Sequence, residues 1–424
     1  MEVTSLGDLT FESKAREVEV SETDLRVYGV DRTDGLTPEA KYTSKELARY
    51  KVLRPGMFAY NPMRLNIGSI AYCTDRHAVG LVSPDYVVFG CKPGALDPDF
   101  LSYAIKGPEW RRWTTAAGIG SVRVRIYFRE LAKMPFVVPP LAEQKAIAAV
   151  LGALDDKIEL NRRMNTTLDA MVRALFQSWF VDFDPVRAKL DDRKPVGLDE
   201  ATTAFFPATF QDSPLGHIPL GWEIHNLSNL TEYLSRGIGP DYIEKGGICV
   251  LNQKCVREHR VDFSKSRRHD SAKKSADGRT LQLHDVLVNS TGMGTLGRVA
   301  QVLHLPETTI VDSHVTVVRA DSETDPFFLG VNLTGREAEI EELGEGSTGQ
   351  TELSRKRLGE LKIITPPLEI QREFGTRVGS LLLRISKNET QSRTLATLRD
   401  TLLPKLLSGE LSVASLESRL KAVA

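Results

Sequence analysis

The sequence predicts a mixed α/β (α+β) protein: two similar globular units, two long antiparallel helices separating them, and an internal pseudo-twofold repeat. Three observations predict it. Apolar residues recur at helical seam spacing from Leu141 to Phe180, the same pattern returns near the C-terminus behind the same prolines, and the stretches ahead of the two copies also match.

Stepping by four and three from Ile147, the first seam runs through Leu151, Leu154, Ile158, Asn161, Asn165, Leu168, Val172, Leu175 and Trp179. Pro139-Pro140 stand just ahead, where a missing N–H costs little, and only Gly152 interrupts residues that mostly favour helix. At about 1.5 Å per residue such a rod reaches roughly 55–60 Å, longer than a domain is wide. It needs a partner. Pro139-Pro140-Leu141 and Gln144-Lys145 recur as Pro366-Pro367-Leu368 and Gln371-Arg372, an offset of 227. The second seam is then Phe374, Val378, Leu381, Ile385, Asn388, Ser392, Leu395, Arg399, Leu402 and Leu406. Laid antiparallel, the rods bring Asn165 to Asn388 and Asn161 to Ser392. A polar layer in an apolar seam costs stability and fixes register, because any slip buries an amide against leucine. Two separate amphipathic helices, each covering its own domain, would fit the same pattern.

In chain order, residues 1–140 form the first globular unit, with strands expected at 25–30, 57–60, 68–72, 86–89 and 136–138 and helices at 44–49 and 98–113. Residues 141–180 are the first rod. Residues 181–217, polar, charged and punctuated by prolines, read as a linker packed along the surface and partly ordered by Phe205 and Phe206. Residues 218–367 make the second globular unit, and 368–424 the second rod with its tail. The two units match block by block: Glu2-Val3 and Leu6 against Glu223-Ile224 and Leu227, GMFAYNPMRLNIGSIA against DVLVNSTGMGTLGRVA, and DPDFL from Asp97 against DPFFL from Asp325.

Composition narrows the function. At 424 residues and 41% apolar content there is enough chain for two or more packed cores. No run of 18 apolar residues occurs and the N-terminus lacks the apolar core of a signal peptide, so a soluble, cytoplasmic protein with no membrane partner is expected. Cys73, Cys91, Cys249 and Cys255 form no CxxC pair and read as reduced thiols. A net charge of −1 excludes non-specific coating of nucleic acid, so any such role rests on local patches.

Two unequal domains at a set spacing suit a ligand with two unequal sites in opposite orientations. Double-stranded DNA is such a ligand, since half-sites about one turn, roughly 34–36 Å, apart face one side. Local charge points the same way. Between Val256 and Arg279, Arg257, Arg260, Lys265, Arg267, Arg268, Lys273, Lys274 and Arg279 outnumber Glu258, Asp262, Asp270 and Asp277. Arg123, Arg125, Arg129 and Lys133 stand in the first unit where Arg355, Lys356 and Arg357 stand in the second. With Arg64, Arg76, Arg298 and Gln350 these, apart from Arg257, Arg260 and Lys265, are the candidate DNA contacts; a solvated charged face is the plain reading of any one of them.

Gly292-Met293-Gly294-Thr295-Leu296-Gly297 fits GxGxxG, yet the following RVAQVL reads as a strand, so no phosphate-binding helix start is available. A flexible loop approaching a DNA backbone or a plain hairpin fits better. Gly118–Gly120 and 344–349 read as mobile loops. Catalytic constellations are missing: Asn61-Pro62-Met63 falls one residue short of an amino-methyltransferase motif, and neither a Walker A loop nor HExxH is present. The histidines are scattered, and His269 and His314 read as surface and core residues rather than ligands. No catalytic residue, metal or cofactor is assigned to this chain.

PPLAEQKAIAAVLGALDDKIELNRRMN, LFQSWFVDFDPV, LGHIPLGWE, the repeated PPLEIQREF and the closing TLLPKLLSGEL resemble the specificity (S) subunit of Type I restriction-modification systems, over essentially the whole chain. The resemblance implies two target-recognition domains, each reading one half of a bipartite DNA sequence, and helical spacers that set the gap. It implies two adenine-N6 methyltransferase (M) subunits using S-adenosylmethionine, two restriction (R) subunits using ATP and Mg, and no enzymatic activity in this chain. Leu160, Met164, Met171, Phe176, Phe180, Leu382, Leu398 and Leu403, beside the seams, would widen the apolar stripe for M-subunit docking. Arg399, where the first rod has Val172, is a departure from strict equivalence of the two docking faces. A stand-alone DNA-modifying enzyme and an orphan scaffold without DNA binding are the alternatives from other classes.

Overall fold

Two helices of 40 and 41 residues, Leu141–Phe180 and Leu368–Ser408, organise the chain. The computed structural model describes residues 2–16, 26–32, 35–40, 43, 46–117, 125–346, 351–416 and 418. Its contacts form two units: residues 1–160 with 391–424, and residues 161–390. Both divisions fall inside the long helices, so each unit holds one half of each.

Within each unit the two helix halves run antiparallel. In the first, Arg399 Nη1 donates to Asp155 Oδ1 at 2.5 Å, while Ile147 and Leu151 share a core with Leu403 and Leu406. In the second, Asn388 Nδ2 donates to Asn165 Oδ1 at 2.8 Å and Asn161 Nδ2 donates to the Asn388 carbonyl at 3.3 Å. Every seam position on both helices is buried or half-buried. The helices therefore pair and also cover their domain cores, which reconciles the two readings of the heptad pattern. Arg399 is accommodated in the seam because Asp155 and Asp400 neutralise it, and Asp155 accepts a further bond from Tyr103 Oη at 2.8 Å.

Each unit builds the same antiparallel four-stranded sheet. Its order is Thr10–Ser13, Val87–Cys91, Met57–Tyr60, Ile70–Tyr72 in the first and Thr231–Arg236, Val315–Ala320, Val286–Asn289, Val299–Gln301 in the second. An antiparallel pair of outer strands, Glu2–Ser5 with Pro135–Val138 and Glu223–Asn226 with Lys362–Thr365, feeds directly into each long helix. Smaller sheets flank the main ones and differ between units: three strands at Arg26–Val27, Gly80–Val82 and Lys51–Leu53 against four at Tyr242–Ile243, Arg267–His269, Ile248–Leu251 and Thr309–Val311. One close approach recurs with its glycine exchanged. A Cβ on Gly7 would lie 2.8 Å from Ala132 Cβ, and one on Gly359 would lie 3.3 Å from Ser228 Cβ. One partner of each pair is small enough for the short helices to meet.

Several expectations are corrected. The helix expected at 98–113 is two, Pro98–Ala104 and Pro108–Ala116, because the residue before a proline resists helical backbone. Residues 44 and 45 lie outside the described residues, and 46–50 form a turn rather than helix. Strand 25–30 is split into Arg26–Val27 and Gly29–Asp31. The supposed linker is part of the second core: it carries helices Asp184–Leu190 and Glu200–Phe205 and a hairpin of Phe210–Ser213 with Gly216–Pro219. Phe183, Val186 and Phe206 bury there, and Phe206 meets Trp179 edge-on at 5.1 Å, whereas Phe205 is exposed. Aromatic packing outweighed the polar average of that stretch.

The duplicated glutamines explain how each long helix is seated. Gln144 Oε1 accepts from Asp97 N at 2.7 Å and its Nε2 donates to Pro139 O at 2.9 Å. Gln371 repeats this with Asp325 N at 3.0 Å and Pro366 O at 2.8 Å. Asp97 and Asp325 in turn cap the following helices, accepting from Phe100 N and Phe328 N respectively. Both amides are 1% exposed, so removing one strands a buried donor and acceptor. Gln371→Leu is expected to cost about 1–3 kcal/mol, seen as a lower urea midpoint at unchanged slope.

Candidate nucleic-acid interface

The best candidate surface in each unit starts from a hairpin and a short basic segment. In the first unit the turn between Met57–Tyr60 and Ile70–Tyr72 carries Arg64, with Met63 and Ile67 exposed. Ile126 N donates to Pro62 O at 2.9 Å, which pins Arg125 beside that turn, and Phe128–Leu131 follows with Arg129. In the second unit Leu353 N donates to Ser290 O at 2.9 Å, and Arg355–Gly359 follows with Lys356 and Arg357. Side chains on such tips are held by a sheet but face solvent, the usual setting for base-reading groups.

The hairpin of the second unit is the more elaborate. Gly292, Gly294 and Gly297 all have positive φ, at 106°, 66° and 78°, and present Met293, 87% exposed, at the tip. Val299–Gln301 follows as a strand, so the GxGxxG stretch is a hairpin turn and not a dinucleotide loop. Beside it Thr291 Oγ1 and His314 Nδ1 lie 2.7 Å apart, and Asn289 Nδ2 donates to Gln253 O at 3.0 Å. Arg267 stacks over the Tyr242 ring at 3.3 Å. Asp312, 4% exposed, accepts from His314 N at 2.9 Å, and burial pushes its carboxyl above the ordinary value.

The basic residues expected to touch DNA divide into two groups. Arg64, Arg125, Arg129, Lys133, Lys273 and Arg355 are exposed and have no carboxylate within ion-pair distance among the described residues. Others are engaged internally: Arg76 with Asp156 at 2.5 Å, Arg268 in a fork with Glu307 at 2.6 and 2.8 Å, and Arg357 with Glu345 at 2.9 Å. Lys356 lies 3.9 Å from Glu360. Lys274 Nζ donates to Gly239 O at 2.7 Å, Arg279 to Ser235 Oγ at 3.0 Å, and Arg298 to Gly294 O at 2.7 Å. These last three tie loops together, Arg298 within the hairpin itself. Arg260, counted with the basic cluster, is committed to acids of the helices. Arg123 and Gln350 lie outside the described residues, as do 118–120 and 347–349.

The histidine assignments are reversed. His269 is fully buried, accepting from Asp241 N at 3.1 Å and 2.8 Å from Lys274 O, whereas His314 is exposed beside the hairpin. Strand register, invisible in a single short stretch, put one inward and the other at a strand end. Gln253, Thr291 and Tyr242 were not anticipated either. No motif marks them, because they meet through sheet topology alone.

The residues expected to dock partners also separate. Leu160, Met171 and Leu398 are 50%, 51% and 45% exposed, and Met164 is half-buried against Asn388. Phe180, Leu382 and Leu403 are buried at 6%, 7% and 8% and are withdrawn from any docking face. Phe180 packs on Phe374 and Phe328 at 4.9 and 5.0 Å, and Phe176 is half-buried against the same rings. The domain cores claimed these side chains first.

The family model for the Type I restriction modification DNA specificity domain matches residues 62–170, from the first hairpin tip into the first long helix. The chain is 24% identical over 405 residues to the Type I restriction enzyme HindI specificity subunit of Haemophilus influenzae, covering 85% of this chain and 88% of that protein. It is 24% identical over 325 residues to the MjaIX specificity subunit of Methanocaldococcus jannaschii, covering 75% and 70%. Its fold matches the crystal structure of a Type I restriction-modification S subunit from M. genitalium with a TM-score of 0.62 at 15% identity, over 96% and 95% of the two chains.

Because the raised Asp312 holds its proton more tightly folded than unfolded, its contribution to stability is full below the ordinary carboxylate value of 3.8 and is lost as pH rises through the folded value. Asp312→Asn is therefore expected to raise the urea midpoint at pH 7, with the gain vanishing toward pH 3.8; a constant difference across that range would contradict the assignment.

Proposed function

We propose, taking this chain as a member of the Type I restriction-modification specificity-subunit family, that it is the DNA-recognition subunit of such a system. One observation carries the reading. Two units share one sheet order and one placement of hairpin and basic segment, yet bear different side chains at the tips: Asn61-Pro62-Met63-Arg64 in the first and Ser290-Thr291-Gly292-Met293 in the second. Equal scaffolds with unequal tips suit the two halves of an asymmetric, bipartite sequence in double-stranded DNA. Exposed Arg64, Arg125, Arg129, Lys133, Lys273 and Arg355 supply phosphate contacts, and Gln253, Thr291 and His314 offer donors and acceptors to base edges.

Chemistry is left to partners in this reading. Two methyltransferase subunits supply S-adenosylmethionine-dependent adenine-N6 methylation and two restriction subunits supply ATP- and Mg-dependent cleavage. This chain positions them and catalyses nothing. The exposed Leu160, Met171 and Leu398 support docking of the methyltransferase subunits along the long helices.

The test is a methylome. Co-expressed with its cognate methyltransferase subunit, the chain should direct N6-methyladenine to one bipartite motif, and Gln253→Ala with Thr291→Ala should relax one half-site while leaving the other intact. Each lost base contact is expected to cost about 1–3 kcal/mol; equal loss at both half-sites would remove these residues from base reading. Met171→Glu with Leu398→Glu should abolish co-purification with the methyltransferase subunit without lowering the thermal midpoint, and an undiminished complex would refute the docking face.

A further inference from the structure

Arg260, in the second unit, is committed to two carboxylates. It stands on a two-residue hairpin, Val256–Arg257 with Arg260–Val261, whose turn residues Glu258 and His259 both take positive φ, 51° and 60°, without a glycine. Non-glycine residues in that conformation are uncommon and are held there by their surroundings. The guanidinium reaches both long helices at once. Its Nη2 donates to the two oxygens of Asp169, on the first helix, at 2.6 and 2.7 Å, and its Nε donates to Glu389 Oε1, on the second, at 2.8 Å. Burial works against the charge, but Asp169 and Glu389 outweigh it and hold the guanidinium above its ordinary pKa.

The contacts continue from this clamp to the recognition hairpin. His259 Nδ1 lies 3.4 Å from Glu337 Oε1, and the same oxygen accepts from Val299 N at 2.6 Å. Val299 opens the strand leaving the Gly292–Gly297 turn. Gly297 itself lies so close to Glu341, on the helix Glu337–Glu342, that a Cβ there would come within 2.7 Å of the Glu341 nitrogen. Helix pair, clamp, turn and hairpin tip thus form one connected series. Apolar packing is non-directional and tolerates sliding, whereas one planar guanidinium that donates from Nη2 to Asp169 and from Nε to Glu389 fixes an angle between two helices.

We propose that Arg260 is a positioning residue: it fixes the angle at which the second recognition domain stands on its helix pair, and so the length of unread DNA that the chain accepts between its half-sites. The proposal rests on the DNA-recognition reading above. The first unit makes the corresponding link differently, through Tyr103, Asp155 and Arg399 and through the surface pair of Arg76 and Asp156, 59% and 65% exposed, which contributes little. The second domain is the one whose hairpin arginine bonds to carboxylates on both long helices.

The test uses the full chain with its methyltransferase subunit and duplexes carrying its motif with the unread gap shortened or lengthened by one base pair. The wild type is expected to prefer the native gap at least about tenfold. Arg260→Met with Asp169→Leu and Glu389→Leu removes all three charges together, the kind of replacement that preserves stability, and should cut the preference to about twofold at an unchanged thermal midpoint. Arg260→Lys keeps the charge, loses the planar pair of donors that reaches both carboxylates, and should give an intermediate preference. A folded triple variant with wild-type gap preference overturns the proposal, as does a lysine variant indistinguishable from wild type should the triple variant fail to fold. A wild-type complex that binds its motif but ignores gap length overturns the clamp alone, and one that binds no bipartite motif overturns the DNA-recognition reading with it.

Discussion

The pairing of two helices through a seam that carries a layer of asparagines is the constraint on which the rest depends. Asn388 and Asn165 meet at 2.8 Å, and Asn161 reaches the Asn388 carbonyl, amid half-buried leucine and buried isoleucine. A slide of one helix past the other would leave these amides against hydrocarbon, so register is specified by what misalignment would cost. Everything attached to the helices inherits that register. Gln144 and Gln371 seat the helix starts against the domains, and Arg260 ties the second domain to both helices.

The duplication divides labour between scaffold and tip. Sheet order, the seating glutamines and the aspartate caps are kept in both copies because each satisfies buried backbone groups that have no substitute. The exchanged glycine of the Gly7–Ala132 and Ser228–Gly359 contacts shows that a spatial requirement persists while its bearer changes. Tips are under no such requirement. The first hairpin carries Arg64 on a 3₁₀ turn, the second raises Met293 between glycines, and the flanking sheets differ in strand number. Divergence is thus concentrated at rigidly held ends.

Charge is where linear reading failed most. Arg268, Arg357, Arg76 and Arg260 looked equivalent to Arg125 or Lys273, yet the first four hold carboxylates distant in sequence. Nothing near Arg260 announces Asp169 or Glu389. Likewise the aromatic run ending the first helix reads as an exposed stripe until Phe328, Phe374 and Trp222 are brought against it.

The sequence by itself determined the periodic and the repeated: the long helices, their antiparallel register and the mixed α/β class. These are local or self-comparing properties, since a heptad needs only its own spacing and a repeat only its own copy. Tertiary structure alone decided which cations remain free, which apolar flanks stay exposed, and that His314 with Gln253 and Thr291 would share a surface. Those outcomes turn on which distant groups compete for the same side chain, and that competition is settled only when the sheets close.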